Sequence, residues 1–570
     1  MTRKAAVLLL ISVLLAGCTA PDAPSTPGAA TETPVPILTH EPTPVATSTL
    51  AWPTATPSAL RIWFEPAVPG ALRNLVLTTQ SARQAAPSRS AAGADVRVGP
   101  GRGIPIAHWV YAVVAPFPTL ADEVRWADIR AFWAGETGAL AELAEGQQTP
   151  TLYVTAGALS ALRALLGEPS AQAPIQLTAA VDLVDSAWDA RPDAWSIVPF
   201  DELQPRWKVL SIDGMSVLDK ALDVDAYPLS VPLGVEGAES LPLVSALVKN
   251  GKLLTNHDPA RITVLVMTGV TALVRGTADR MESKGILYPA DLIGPLLREA
   301  DITHISNEIS FSTDCPPPDP HSQSLTFCSD PKYMELLRAV GVDVIELTGN
   351  HVKDYGSQAM LDTLDIYDQG NLPYFGGGRN LEEARKPLIV QKNGVDFGFI
   401  GCNPVGPPNA WATEDRPGAA PCDCSDSGQC AYEYMHAELT KLKAQVDVPI
   451  ATLQYWEFYQ YEPTPQQRID FRGMVDAGAL IVSGSQAHHP QGFEFYKGAF
   501  IHYGLGNLFF DQMWSRGTRQ EIVDRHIIYQ GRHISTELHT FMLEDYAQPR
   551  PMTPEERREL LTAVFQASGW

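Results

Sequence analysis

The stretch ELTGNHVKDYG, Glu346–Gly356, constrains the fold more than any other part of the sequence. It continues an apolar run that begins at Val342, turns at Gly349 and then presents the polar pair Asn350 and His351. A buried strand, a glycine turn and a helix start are typical of an α/β sheet, whose strand ends hold ligands and metals. The Asn oxygen and the His nitrogen suit a small divalent cation. The alternative is a turn whose side chains only satisfy nearby backbone groups.

Length and charge narrow the class of protein. The chain has 570 residues, which predicts two or more domains. Its formal net charge is −23, from 65 acidic and 42 basic residues, and this argues against nucleic acid as a partner. An acidic surface is compatible with cation binding or simply with a well-solvated exported protein.

The N-terminal segment 1–18 has the pattern of a bacterial export signal. A basic start is followed by the apolar run Ala5–Leu15, which is too short to be a membrane span. The LAGC that ends the segment resembles a lipobox, so we expect lipidation at Cys18 and an extracytoplasmic protein tethered to the cell membrane. Residues 19–58, rich in Pro, Thr, Ala and Ser, predict an extended linker.

Six further cysteines make disulfides the first expectation for an exported chain. Cys315 and Cys328 flank a Pro-rich loop and are predicted to pair. The remaining four allow three pairings, which the sequence leaves open: Cys402, Cys422, Cys424 and Cys430. A zinc cluster is the alternative, although a single residue between Cys422 and Cys424 is not the usual zinc spacing.

The range 59–249 alternates apolar strands with helical segments, which predicts an α/β domain. Strands are expected at Leu60–Phe64 and Trp109–Phe117, and a helix over Leu120–Trp133. The segment VVAPFPTLADEVRWADIRAFWAGE resembles solute-binding proteins of the phosphate-binding type. That resemblance implies a periplasmic-binding-protein-like domain, without assigning ligand residues; a domain used only for docking is the alternative.

The range 255–548 contains a second series of strands, each entering a glycine or polar turn. Expected strands are Arg261–Gly269, Ala300–Glu308, Val342–His351, Val395–Asn403, Val448–Trp456 and Phe500–Asp511, and Ala479–His489 is expected to be a strand followed by a loop. A C-terminal helix is predicted within 549–570, because Thr553 and Glu556 flank Pro554 in a capping box.

Three motifs in this range resemble the bacterial capsule-synthesis CapA family, also called the poly-γ-glutamate capsule biosynthesis family. They are GNHVKDYG, GGGRNLEEARKP and HYGLGNLFFD, in that order along the chain. The resemblance implies a four-layer α/β/β/α fold similar to the calcineurin-like metallophosphoesterases. It also implies a role in the synthesis or export of a capsular polymer, with the polymer or its synthesis machinery as partner.

The same resemblance implies a two-metal site, in which metal ions activate water and neutralise phosphate. This chain departs from it: the first strand ends in Val270 where the family has Asp, and Gln454 replaces a His. The family's Gly-His-x-Pro-His falls on 484–488, so that only His488 is kept. A divalent metal is therefore expected, if at all, on an altered ligand set.

From the resemblance we assign the candidate metal ligands Glu308, Asn350, His351 and His488. Asn350, His351 and His488 are also the candidate catalytic residues. Arg275, Gln454 and Gln486 are candidate substrate-binding residues, the two glutamines standing where stronger ligands are usual.

Three interpretations follow: a hydrolase with one or altered metals, a metal-free site in which His351 or His488 is the acid or base, and a scaffold that binds an acidic polymer without turnover. These interpretations of the site correspond to two functions of the protein. The first is capsule synthesis with a hydrolytic step, and the second is non-catalytic binding of a solute or polymer at the surface.

Overall fold

The computed structural model describes residues 59–79, 84–144, 148–424 and 430–570. The signal segment 1–18, the lipidation site Cys18 and the linker 19–58 lie outside these ranges. Pro57–Trp570 forms one compact unit. The division into domains at 59–249 and 255–548 therefore stays a prediction. In the part of the chain that is described, no helix has the length and apolar character to cross a membrane.

The first half of the chain builds a mixed sheet of eleven strands around the long strand Ile104–Pro116, which is apolar and almost wholly buried. The other strands are Leu60–Phe64, Ala85–Pro87, Val96–Pro100, Glu123–Val124, Thr151–Val154, Ile175–Leu177, Ala194–Pro199, Trp207–Ile212, Ser230–Glu236 and Leu254–Thr255. The helices are Gly70–Thr78, Trp126–Trp133, Ala156–Leu166, Leu183–Asp189 and Ser240–Leu247. The helix expected from Leu120 begins only at Trp126, because Glu123–Val124 pairs as a strand with Trp207–Ile212.

The second half builds two sheets. In spatial order, the seven-stranded sheet contains Tyr374–Phe375, Val344–Glu346, Ile302–Asn307, Ile262–Thr271, Gln520–Tyr529, Arg532–Glu544 and Gln548–Pro551. The six-stranded sheet contains Leu388–Lys392, Val395–Cys402, Val448–Gln454, Ile481–Ser485, Ala499–His502 and Phe493–Tyr496. Gly377–Gly378 and Gly418–Ala419 form a small separate ladder.

Helices surround these two sheets. They are Arg275–Lys284, Gly294–Glu299, Met334–Ala339, Gly356–Gln369, Leu381–Arg385, Glu433–Leu442, Pro465–Ala477, Arg516–Arg519 and Pro554–Ala567. Thr553 caps the last helix with the expected capping box.

The apolar side chains divide into layers that match this arrangement. Leu265 of one sheet and Phe399 of the other belong to one buried cluster between the sheets. Ile345 packs outward with Met360 of the helix Gly356–Gln369. Because strand side chains alternate between faces, each sheet buries one face against the other sheet and one against helices. The second half is thus a four-layer α/β/β/α sandwich, and the α/β class predicted for both halves is confirmed.

Strand direction brings the predicted site together. Ile262–Thr271, Ile302–Asn307 and Val344–Glu346 run parallel in one sheet. Val448–Gln454 and Ile481–Ser485 run parallel in the other. The carboxyl ends of parallel strands meet at one edge of their sheet, where ligand sites form in open α/β sheets. The site residues follow these strands within a few positions of their ends.

The paired cysteines include the pair expected from the sequence. Cys315 and Cys328 lie at disulfide distance, with Cα atoms 5.5 Å apart. The structure selects one of the three open pairings for the others, Cys402 with Cys422 and Cys424 with Cys430.

Candidate functional site

Gln454 is the centre of a buried polar cluster at the strand ends. Its Nε2 donates to Glu308 Oε1 at 3.2 Å and lies 3.3 Å from Asn350 Oδ1. The same nitrogen contacts Gln486 Oε1. Ser485 Oγ donates to the amide oxygen of Gln454 at 2.5 Å, which fixes the amide with its nitrogen toward the three acceptors. The structure therefore brings together four of the residues predicted from the sequence.

His488 lies against the same cluster. Its Nε2 is 4.0 Å from Glu308 Oε1 and 3.9 Å from Glu457 Oε1, and its Nδ1 lies 2.9 Å from Asn507 Oδ1. His488 and Gln486 both have positive φ, 48° and 74°. Non-glycine residues hold this conformation only where the surroundings impose it, and such residues concentrate at functional sites.

His351 forms a histidine–carboxylate pair beside the cluster. Its Nδ1 lies 2.7 Å from Asp354 Oδ2, which also accepts from the backbone N–H of Phe327 at 2.8 Å. Desolvation lowers the pKa of His351, but the hydrogen bond to Asp354 and the charges of Glu308, Asp354 and Glu457 outweigh it, so that the pKa is raised above 6.5. The pair leaves Nε2 as the imidazole nitrogen that can exchange a proton with a ligand.

Arg275 is part of a separate ion pair. Its guanidinium donates to Asp511 at 2.5 Å, and the backbone N–H of Gly276 donates to the same carboxylate at 2.7 Å. The guanidinium also lies over the rings of Phe327 and Phe510, at 4.8 and 5.4 Å from their centroids. The bonds to Asp511 engage its Nε and Nη2 atoms, and its role in substrate binding stays a prediction.

An aromatic edge borders the site. The ring of Tyr459 stacks on His488 with centroids 6.2 Å apart, and it meets Trp514 edge to face at 4.7 Å. The hydroxyl of Tyr459 donates to Glu457 at 2.8 Å. Trp514 is 62% exposed, so a large apolar surface stands in solvent beside a buried polar cluster. This combination is typical of ligand sites.

The donor set does not fit a two-metal centre. The first strand ends at Val270, which is fully buried and cannot ligate. In the described ranges, no three His, Cys, Asp or Glu side chains are arranged to hold a metal ion. The nitrogen of Gln454 lies where the acceptor oxygens converge, and a nitrogen with attached hydrogens cannot ligate a cation. Glu308 Oε2 has no hydrogen-bond partner among the described residues and is therefore open to a cation. Because Val270 cannot ligate and the Gln454 nitrogen lies among the oxygens, the set fits at most a single ion.

Sequence reasoning missed several residues that shape the site. Ser485 and Glu457 hold the amides of Gln454 and Gln486, the second through a 3.1 Å bond from Gln486 Nε2. Asn507 positions His488. Asp354 lay within the recognised motif, so its spacing of three residues from His351 was an available signal. Asn507 likewise lay within the recognised motif HYGLGNLFFD, whereas Ser485 and Glu457 come from two different strand ends, and no spacing in the sequence indicates their contacts.

A polar cluster at the strand ends of an α/β/β/α sandwich defines a protein with a metallophosphoesterase-like fold. Residues 264–512 match the model of the family described as "Bacterial capsule synthesis protein PGA_cap". The match covers the strands and loops that build the site, and it confirms the resemblance found in the sequence.

Named relatives agree with this match. The capsule biosynthesis protein CapA of Bacillus anthracis is 29% identical over 220 residues, which are 39% of this chain and 52% of that protein. The PGA biosynthesis protein CapA of Bacillus subtilis (strain 168) is 28% identical over 253 residues, 44% of this chain and 64% of that protein. The matched region thus spans between half and two thirds of the length of these relatives.

Solved structures show only distant likeness. A hypothetical protein from Thermus thermophilus is 11% identical and covers 50% of this chain and all of its own, with a TM-score of 0.32. A putative phosphate ABC transporter substrate-binding protein from Clostridium perfringens is 14% identical and covers 34% of this chain and 94% of its own, with a TM-score of 0.27.

Proposed function

We propose that this protein acts in the synthesis or export of a capsular polymer of the poly-γ-glutamate type, and that the strand-end cluster binds the polymer. One observation carries the proposal: the amide of Gln454 occupies the position where the family has a histidine ligand, with its nitrogen among the oxygens of Glu308, Asn350 and Gln486. Amide side chains both donate and accept, so they match the amide backbone of such a polymer.

The rim of the site supports a polymer ligand. Tyr459 and the exposed Trp514 offer flat apolar surface for the methylene groups of the polymer. His351, whose pKa is raised, offers a partly cationic donor for a carboxylate. The family match over 264–512 and the names of the Bacillus relatives support the same polymer class.

We place this function outside the cytoplasm. The proposed lipid anchor at Cys18 would tether the protein to the membrane, with the synthesis machinery as its protein partner and no nucleic acid partner. Three cysteine pairs at disulfide distance support an oxidising compartment.

A second function, a hydrolytic step, is favoured by the His351–Asp354 pair. The carboxylate holds Nδ1 at 2.7 Å, and this orients the imidazole for general acid–base work at Nε2. Such a step needs no two-metal centre, and it requires that His351 reach the scissile bond of the bound polymer.

The test combines binding with turnover. Fluorescence anisotropy of a labelled oligo-γ-glutamate is measured with wild-type protein, with Gln454→Ala and with Gln445→Ala, an exposed glutamine outside the site. The proposal predicts that only Gln454→Ala weakens binding. Equal affinity of all three proteins contradicts it.

Hydrolysis of the same polymer and of a phosphodiester is assayed with and without divalent ions, alongside His351→Ala and His488→Ala. Turnover that both variants lose supports the hydrolytic function. Binding without turnover under any ion assigns the site to binding alone.

A further inference from the structure

A second pocket, lined by residues other than those of the strand-end cluster, concentrates positive charge in an acidic chain. It has a volume of about 510 Å³ and is lined by four cationic side chains, Arg206, Arg468, Arg472 and Lys497, and by the rings of Trp188 and Trp570 among others. We call it the basic pocket. Among its described lining residues, Glu494 is the one with a carboxylate side chain. The excess of cations stands against a net charge of −23 for the whole chain.

We propose that the basic pocket binds a carboxylate-bearing segment of the anionic polymer. This rests on the proposed function for the identity of the polymer, but it places binding at residues to which the family resemblance assigned no role. The feature of the polymer that the basic pocket would recognise is a row of closely spaced anions.

The cations of the basic pocket are only partly neutralised. Arg472 lies 2.6 Å from Glu494, whereas Arg468 is 3.9 Å from the same carboxylate. Two guanidinium groups thus share one negative charge. A ligand carboxylate near Arg468 would restore the balance, and the flat fork of an Arg side chain can bond a carboxylate through two parallel N–H groups.

The other two cations are paired only at the surface. Arg206 meets Asp185 at 2.5 Å and Lys497 meets Asp476 at 2.6 Å, with the two carboxylates 66% and 48% exposed. Exposed pairs of this kind contribute little to stability. An incoming polyanion can therefore exchange with them at little cost.

Aromatic rings hold the cations in place. The guanidinium of Arg206 lies 4.9 Å from the ring of Trp188, that of Arg468 lies 5.4 Å from Tyr503, and that of Arg472 lies 5.3 Å from Tyr496. Cation–π contacts orient the charged groups before a ligand arrives, so less conformational entropy is lost on binding. The walls formed by Trp188 and Trp570 can cover the methylene groups between successive carboxylates.

The basic pocket joins the two halves of the chain. Trp188 and Arg206 belong to the part that forms the eleven-stranded sheet, whereas Arg468 and Arg472 lie on the helix Pro465–Ala477 of the sandwich. A polymer segment bound there contacts both halves at once. Binding should consequently stabilise the whole chain against unfolding.

The experiment uses the full-length protein and a short fluorescein-labelled oligo-γ-glutamate. The double variant Arg468→Gln/Arg472→Gln should lower the affinity at least about tenfold, the loss of one good ionic contact. Arg516→Gln is the matched control, because Arg516 is half exposed and pairs with Glu559 outside the pocket. Lys497→Gln, at a 62% exposed side chain, is the second variant, since Arg468 also bonds the carbonyl of Ala567. Thermal melts check that each variant is folded.

Three further arms separate the ligand classes and the two proposals. A neutral oligo-γ-glutamine should not bind the basic pocket, and inorganic polyphosphate should compete less well than the carboxylate polymer. Equal affinity of wild type, the double variant and Lys497→Gln overturns the proposal, as does an equal loss in Arg516→Gln. Stronger binding of polyphosphate, abolished by the double variant, overturns the carboxylate assignment. Binding lost in Gln454→Ala but kept in the double variant overturns the basic pocket alone and leaves the proposed function standing.

Discussion

The amide nitrogen of Gln454 lies 3.2 Å from the carboxylate of Glu308, and this bond joins the two sheets of the sandwich at their strand ends. Gln454 ends a strand of the six-stranded sheet, whereas Glu308 follows a strand of the seven-stranded sheet. A neutral donor in this position replaces the attraction between a cation and its ligands by hydrogen bonds. The consequences can be measured.

Removing the Gln454 amide should destabilise the protein. Gln454→Leu leaves the oxygens of Glu308, Asn350 and Gln486 without their shared donor in a buried site. Each unsatisfied buried group costs about 1–3 kcal/mol. The free energy of unfolding in urea should fall by at least that amount, while Gln445→Leu, at an exposed position, should change it little. Equal stability of the two variants would show that the network contributes nothing.

Restoring an imidazole should create metal affinity. In Gln454→His the nitrogen at the centre of the cluster becomes a lone-pair donor, next to Glu308, Asn350 and His488. We expect titration calorimetry to show binding of Zn²⁺ or Mn²⁺ by the variant that is weaker or missing in the wild type, and the metal to raise its melting temperature. Gln454→Asn is the control, because it keeps an amide. If the wild type, Gln454→His and Gln454→Asn have the same metal affinity, the amide of Gln454 does not determine metal binding.

The site was predictable where one motif carries several residues, and not where separate loops meet. Asn350, His351 and Asp354 lie in one motif. Val270 and Gln454 were found as departures from a pattern. The contacts of Glu457 with Gln486 and of Asn507 with His488 depend on backbone turns with positive φ at Gln486 and His488, which a sequence without a glycine signal does not indicate.

Prediction of the strands from the sequence succeeded and failed for the same reason. Short, mainly apolar strands such as Leu60–Phe64 and Val448–Gln454 can be predicted from their apolar residues. The long hairpin Gln520–Tyr529 and Arg532–Glu544 was missed, because buried polar and charged residues such as Asp524 and His526 interrupt its apolar pattern. Those residues meet partners from other strands, so tertiary contact decides the strand.

His351 should titrate above its ordinary value, and Asp354 should be the main cause. Because its folded-state pKa is raised above 6.5, its stabilising contribution is complete below the unfolded pKa and is lost as the pH rises through the folded pKa. In Asp354→Asn the imidazole should titrate at lower pH, and the loss of stability on raising the pH should become smaller. NMR of the His351 ring follows the first change, and urea unfolding between pH 5 and 9 follows the second; Asp362→Asn, at an acidic residue on the next helix, should change neither.

Buried imidazoles should make the sandwich sensitive to acid. Burial lowers the pKa of His533 to about 3, so the folded state keeps this ring neutral while the unfolded state takes up a proton below 6.5. Stability from this group is therefore complete above 6.5 and is lost as the pH falls toward 3, with a slope of about 1.4 kcal/mol per pH unit for one proton. His533→Gln, which does not titrate, should flatten the dependence of the unfolding free energy on pH in this window. His321→Gln, at an exposed histidine, should leave the slope unchanged. A slope that is equally steep in His533→Gln and the wild type would assign the acid sensitivity to other groups.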